Sequence, residues 1–257
     1  MCDADKVIIC KMFGIFKKKE YKKNITFDYS SILVDMHSHV LPGIDDGAQN
    51  PEESIALIKK MMALGIKKII ATPHIMADYY RNTAETINGA LSVLKAELIK
   101  EKIDIEIEAA AEHYFDETFE GRVDNRELMI MGDNYVLFEF SFINQPPNTI
   151  PVIQKLKDAG FKPILAHPER YPYMDIDQLR TLREWGVLLQ INTISLTGYY
   201  GKEAKKAVES LIDNQLVDFI SSDMHHLRHA EALKQALRMP YLEKIMFDYP
   251  LKNIMLR

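Results

Sequence analysis

Asp35-Met36-His37-Ser38-His39-Val40-Leu41-Pro42-Gly43-Ile44-Asp45-Asp46-Gly47 follows directly on the apolar run Ile32-Leu33-Val34. A short apolar run that ends in ligand-type side chains reads as a buried strand delivering polar groups at its carboxyl end. Alternate residues of a strand face the same way, so His37 and His39 can grip one ion. The pattern recurs along the chain. Thr72-Pro73-His74, Ala111-Glu112, Ala166-His167-Pro168-Glu169-Arg170 and Ser222-Asp223-Met224-His225 each close a further apolar run, and Glu139 lies inside Tyr135-Val136-Leu137-Phe138-Glu139-Phe140. Together these clusters read as the multinuclear metal site of a metal-dependent hydrolase.

Between the clusters, short apolar runs alternate with helical patterns, the signature of βα units around a parallel sheet. Strands are expected at 32–37, 67–72, 103–111, 134–140, 161–166, 187–192 and 216–221. The first helix is bounded by Asn50 as N-cap, Pro51 as first helical residue and Gly65 as stop. Others are expected at 83–101, 148–159, 176–185, 202–214 and 229–237, with Gly160 and Gly186 ending helices before strands. An open sheet would gather its polar groups at one switch point. Clusters at the carboxyl ends of many strands favour instead a closed, seven-stranded α/β TIM-like barrel in a single domain.

With 257 residues, of which 47% are hydrophobic, the chain can build the core of one such barrel. A formal charge of −5 argues against a general nucleic-acid binder. The only cysteines are Cys2 and Cys10, and neither is followed six residues later by Arg, which excludes the Cys-x5-Arg phosphatase motif. With no disulfide framework, signal-peptide core or membrane-length apolar run, a cytoplasmic protein is expected. Residues 1–31 stand apart, because Lys17, Lys18, Lys19, Lys22 and Lys23 follow Met12-Phe13-Gly14-Ile15-Phe16. This stretch reads as a basic extension in front of a barrel at 32–257, either a solvated tail or a weak contact to an anionic membrane surface. Met12 is an alternative start of translation.

Taken singly, each candidate ligand has an ordinary alternative. His74 can be a loop histidine, Glu112 a surface acid, and Asp45 and Asp46 turn formers. Glu139 is harder to dismiss, because an unpaired carboxylate in so apolar a strand costs several kcal/mol or changes its ionisation. Asp35, on the face of His37, is expected to orient a ligand from behind. His226 and Arg228 lie close enough to the Asp223-His225 loop to touch a substrate, whereas His113 and His229 read as packing or surface residues.

The chain closely resembles the bacterial PHP-domain tyrosine phosphatases associated with capsule and exopolysaccharide loci. The resemblance is carried by Asp35 to Gly47, Ala71-Thr72-Pro73-His74, Ala111-Glu112, Leu137-Phe138-Glu139-Phe140-Ser141, Ala166-His167-Pro168-Glu169-Arg170-Tyr171 and Ser222-Asp223-Met224-His225, in order over about 32–255. HxH alone is a weak signal, but six motifs in sequence are a strong one. The resemblance implies a distorted seven-stranded barrel (the PHP fold) with three divalent metal ions, usually manganese. It assigns His37, His39, Glu112 and Asp223 to the first ion, Glu112, Glu139 and His167 to the second, and Asp46, His74 and His225 to the third. The family motif more often has Asn where this chain has His226. Mixed imidazole and carboxylate donors suit Mn, Fe or Zn.

Such a cluster activates water and clamps phosphoryl oxygens without a covalent intermediate, and Arg170 is the candidate for binding phosphate and stabilising its charge. A tyrosyl leaving group, with a free pKa of about 10, departs without a strong general acid. The expected activity is therefore hydrolysis of phosphotyrosine in a protein. The resemblance implies a bacterial tyrosine kinase controlling polysaccharide export as that partner. The alternatives are a small-molecule phosphomonoesterase such as a histidinol-phosphate phosphatase, a nuclease or polymerase-associated module, and a non-catalytic kinase-binding scaffold.

Overall fold

The structure, a computed structural model, describes residues 27–257. Residues 1–26 of the expected basic extension, with its lysines, lie outside the described range. Residues 27–31, which were also assigned to the extension, pack onto the barrel. Tyr29 is buried and donates its hydroxyl to Leu233 O at 2.8 Å, and Phe27 meets Phe247 edge to face. The packed chain thus includes residues before 32, because Tyr29 and Phe27 anchor them to the helices.

Among the described residues, nine short strands follow the expected seven tracts. They are β1 (Val34–Asp35), β2 (Lys68–Ala71), β3 (His74–Ile75), β4 (Glu106–Ala109), β5 (Glu112–Tyr114), β6 (Tyr135–Glu139), β7 (Lys162–Ala166), β8 (Leu188–Asn192) and β9 (Phe219–Ser221). All pairings are parallel, in the orders β1-β2-β4 and β3-β5-β6-β7-β8-β9. Two tracts run past their expected ends at 72 and 111 and are broken there: Thr72-Pro73 separates β2 from β3, and Ala110-Ala111 separates β4 from β5. Proline has no N–H for the ladder. Continuity is kept by Ala110 N donating to Ala71 O at 2.8 Å and Glu112 N donating to Pro73 O at 3.1 Å.

The ring closes between the first and last tracts, but not by a full ladder. Ser38 and Met224 form a single parallel bridge, and His39 N donates to Met224 O at 2.8 Å. Below it, the buried Asn253 amide takes the place of missing strand pairs. Its Nδ2 donates to Val34 O at 3.1 Å and Ile220 O at 2.8 Å, while its Oδ1 accepts from Ile220 N at 3.1 Å. The result is the expected distorted seven-tract barrel.

Among the described residues, eight helices surround it: α1 (Pro51–Ala63), α2 (Ala84–Lys100), α3 (Phe119–Asn125), α4 (Thr149–Asp158), α5 (Ile176–Glu184), α6 (Lys202–Asp213), α7 (Leu227–Ala236) and α8 (Pro240–Asp248). Asn50 caps α1 by accepting from Glu53 N at 2.9 Å, as its sequence indicated. The helices α3 and α8 were not expected; α3 is one short turn-rich segment, and α8 lies beyond the last strand.

Strand alternation decides what enters the barrel. On β6, Val136 and Phe138 join the large core beneath the helices, while Tyr135 and Leu137 join a small interior cluster with Val34, Ile70, Ile164, Ala166 and Phe219. Glu139 continues the interior face of β6. On β8 the same period turns Gln190 and Asn192 inward, both fully buried. Replacing Asn253 by Ala would leave three backbone groups between β1 and β9 unpaired. At about 1 kcal/mol or more for each buried group, Asn253→Ala should lower stability by roughly 3 kcal/mol, read as a reduced urea midpoint with unchanged slope.

Candidate metal centre

Each of the nine expected ligands reaches one chamber at the carboxyl ends of the strands. His37 and His39 follow β1, His74 and Glu112 open β3 and β5, Glu139 ends β6, His167 follows β7, and Asp223 and His225 follow β9. Asp46 comes from the loop after His39. All are buried except Asp46, which is exposed, and His225, which is half-buried. Two hold backbone conformations uncommon for their type, His167 at φ 35° and Asp223 at φ 51°. Left-handed residues outside glycine concentrate where function fixes the chain.

Behind the chamber, hydrogen bonds set the imidazole tautomers. His39 donates Nδ1–H to Asp45 Oδ2 at 2.7 Å, His37 Nδ1–H to Gln190 Oε1 at 2.9 Å, and His225 Nδ1–H to Asp223 O at 2.9 Å. A carboxylate or carbonyl oxygen can only accept, so each ring presents a lone pair on Nε2. The Nε2 atoms of His37 and His39 face each other at 3.2 Å. Two lone pairs so close call for a cation between them.

The remaining donors tell the same story. His37 Nε2 lies 3.1 Å from Glu112 Oε2 and 3.4 Å from Asp223 Oδ1, and His39 Nε2 lies 3.4 and 3.5 Å from the same two atoms. His167 Nε2 is 3.0 Å from Glu112 Oε1 and 3.8 Å from Glu139 Oε2. Asp46 Oδ1 is 3.5 Å from His74 Nε2 and 3.4 Å from His225 Nε2. His74 Nδ1 also lies 3.0 Å from Glu139 and 3.2 Å from Glu112, so this ring, assigned to the third ion, reaches two carboxylates assigned to the second. Donors about 2.1 Å from a shared ion sit roughly 3.0 to 3.4 Å apart at right and tetrahedral angles. Despite their closeness, His74 Nδ1 and Glu112 Oε2 have no hydrogen-bond partner among the described residues. Side chains that converge at these separations without hydrogen-bond alignment fit metal ligation. Three such groups stand out: His37, His39 and Glu112; His74, Glu112 and Glu139; and His39, Asp46, His74 and His225.

Electrostatics agree. Burial opposes a charged imidazole at His74, yet Glu139 and Glu112 outweigh it and push His74 up to about 9. Burial is likewise overcome at His37 by Glu112 and Asp223, and at His39 by Asp45 and Asp223. Against the same penalty, neighbouring histidines hold Glu112, Asp223 and Asp46 below the usual carboxylate range. The carboxylates therefore demand positive charge in the chamber.

Arg170 borders this chamber. Its guanidinium is stacked between the rings of Phe142, 4.4 Å away, and Tyr200, 4.2 Å away, and donates to Asp223 Oδ2 at 3.3 Å. That oxygen also accepts from Asn192 Nδ2 at 2.6 Å and from the Tyr200 hydroxyl at 3.3 Å. A cavity of about 320 Å³ is lined by Asp46, His74, Glu112, Glu139, His167, Asp223 and His225 together with Arg170, Tyr199, Tyr200, His226 and His229.

Some supporting residues escaped the sequence reading. Gln190 and Asn192 were absorbed into an expected strand, although two polar residues on alternate positions signal an inward face. Asp45, read as a turn former, is the partner of His39. Asp35 does not orient a ligand side chain as expected; both its oxygens accept from Ser221 and Ser222, at 2.7 Å each, so it holds the strand end that carries Asp223. His226 lines the cavity while its Nδ1 caps α7. His113 is a packing residue, fully buried, and burial pushes it down to about 4. Arg228 is exposed at the first turn of α7 and is not among the residues lining the cavity.

Comparison with known proteins places this geometry. Residues 33–255 match the family described as capsular polysaccharide synthesis, CpsB/CapC. The tyrosine-protein phosphatase YwqE of Bacillus subtilis is 33% identical over 199 residues, covering 76% of this chain and 78% of that protein. The tyrosine-protein phosphatase CpsB of Streptococcus pneumoniae is 28% identical over 76% of this chain and 84% of its own. A crystal structure from work on these two, described as unique metal-dependent tyrosine phosphatases, superposes with a TM-score of 0.73 at 30% identity, covering 85% of this chain and 96% of that one. A lactonase from Listeria monocytogenes, at 12% identity and a TM-score of 0.52, shares the fold alone.

The loop that carries Asp45 depends on Gly47, where an added Cβ would lie 2.0 Å from His39 O. Asp45 also accepts from Gly47 N at 3.0 Å and His74 N at 3.3 Å, so Asp45→Ala should loosen this loop and free the His39 ring, weakening manganese binding by about 10- to 100-fold in a calorimetric titration.

Proposed function

This chain belongs to the CpsB/CapC capsular polysaccharide synthesis family, and from that membership and its site we propose that it hydrolyses phosphotyrosine in proteins with the aid of divalent metal ions. The observation that carries the reading is Asp223, whose Oδ1 turns to His37 and His39 while its Oδ2 receives Arg170. One side chain thus joins a cation-demanding chamber to a phosphate-binding guanidinium.

In this proposal three ions, manganese by resemblance, are held by His37, His39, Glu112 and Asp223, by Glu112, Glu139 and His167, and by Asp46, His74 and His225. Bound there, the ions lower the pKa of water and neutralise phosphoryl charge. The chain's own residues do the rest. Gln190, Asp45 and the Asp223 carbonyl keep the Nε2 lone pairs of three histidines turned inward. Arg170, its plane fixed by Phe142 and Tyr200, offers guanidinium N–H groups to phosphoryl oxygens and stabilises the charge that builds on them. Burial and the Asp223 carboxylate push the Tyr200 phenol upward, so it stays a neutral donor. Phenolate leaves readily enough that no side chain must protonate it, consistent with a site rich in bases.

The proposed partner is a bacterial tyrosine kinase acting in polysaccharide export, in keeping with the family's description, and the proposed compartment is the cytoplasm. Among the described residues, no helix is long and apolar enough to cross a membrane.

The manganese-loaded protein should release phosphate from a phosphotyrosine peptide in preference to histidinol phosphate, with activity abolished by chelation. His37→Ala should abolish turnover while leaving the circular dichroism spectrum intact, and full turnover in that variant would refute the assigned centre. Arg170→Ala should lower kcat by roughly 10²- to 10³-fold.

A further inference from the structure

Beside the metal chamber runs a second, larger cavity of 780 Å³ between the α5 side and α6. The two share Phe142, Arg170 and Tyr200 as a common wall. Beyond Arg170 the surface is mainly apolar, formed by Met174, Ile176, Leu179, Ala204, Ala207 and Leu211. Ala204 and Ala207, three residues apart on α6, keep that wall low. Glu169 also lines the groove; its Oε1 accepts from Asn192 N at 2.9 Å and Ser195 Oγ at 2.7 Å, whereas its Oε2 has no partner among the described residues.

We propose that this groove is a substrate subsite that takes an apolar side chain two residues from the phosphotyrosine of an extended peptide. The proposal rests on the phosphatase reading above. In an extended chain, residues two apart face the same way about 6.6 Å apart, so such a side chain is the first neighbour to descend beside the phosphotyrosyl group. Its natural direction is across the shared wall into the apolar groove, where burial in place of solvent favours binding. A small phosphomonoester has no group to place there.

The test compares phosphotyrosine peptides carrying Leu or Asp at each position two residues from the phosphotyrosine, alongside p-nitrophenyl phosphate, all with the manganese-loaded full chain. At one of these positions Leu should lower KM by about tenfold relative to Asp. Ala207→Trp, which fills the groove, should erase that difference while leaving turnover of p-nitrophenyl phosphate unchanged. Ala204→Asp, which charges the same wall, should do likewise and serves if the first variant does not fold. Hydrolysis of all substrates with equal KM for the Leu and Asp peptides would overturn the subsite and leave the phosphatase reading standing. Failure to hydrolyse any of them would overturn both.

Discussion

Two imidazole lone pairs facing each other at 3.2 Å, on His37 and His39, are the constraint from which the rest of the molecule can be understood. Neither ring can turn away, because Gln190 and Asp45 hold their other nitrogens. In an otherwise dry interior, the repulsion and the nearby Glu112 and Asp223 charges can be offset only by cations or protons. Two buried polar side chains, Gln190 and Asp45, keep those lone pairs in place. That arrangement would be hard to explain if metal served merely to help the chain fold, since carboxylates could then face solvent at much lower desolvation cost.

The barrel's irregularities follow from the same constraint. A regular parallel ladder would continue β2 into β3 and β4 into β5 with unbroken pairing. Instead, Thr72-Pro73 and Ala110-Ala111 interrupt both tracts, and His74 and Glu112 begin the strands beyond the breaks in mutual register. Small alanines allow the close approach, and proline relinquishes a donor the ladder no longer needs. At the seam, β1 and β9 meet only beyond their polar ends, where Ser38 bridges Met224. Asn253 makes good the lost backbone bonds below, while Asp35 binds the Ser221-Ser222 corner above. The end opposite the chamber is closed by apolar packing around Tyr135, Met131 and Leu256.

What could be read from sequence divides along physical lines. The ligand types, their placement after apolar runs and the helix boundaries at Asn50 and Gly65 depend on local patterns, and all seven strand tracts appeared where expected. The breaks within two tracts depend on partner exchange between strands, which no local pattern records. Asp45 and Asp35 were visible as acids, but their tasks depend on neighbours 6 and 186 residues away in sequence. Arg170 was legible from its motif, whereas the stacking of its guanidinium between Phe142 and Tyr200 was not, since one ring comes from the loop after β6 and the other from the segment before α6. Tyr29 was missed for a similar reason, because its hydroxyl reaches α7.

Asp223 shows how a single buried carboxylate can serve two electrostatic neighbourhoods. Its left-handed backbone turns the side chain so that Oδ1 faces three histidines and Oδ2 faces Arg170, Asn192 and Tyr200. Were the backbone helical or extended, one of these faces would be lost. A cation bound at Oδ1 would weaken the hold of Oδ2 on the guanidinium, and an anion approaching Arg170 would do the reverse. Arg170 is thereby kept from collapsing fully onto the carboxylate. It is also kept from swinging into solvent by the two aromatic faces, leaving its outer N–H edge for a phosphoryl group. The neutral Tyr200 completes the balance by donating to Asp223 without adding charge. The same ring forms the wall between the chamber and the apolar groove, so its position governs both how Arg170 is presented and how a peptide chain can leave the site.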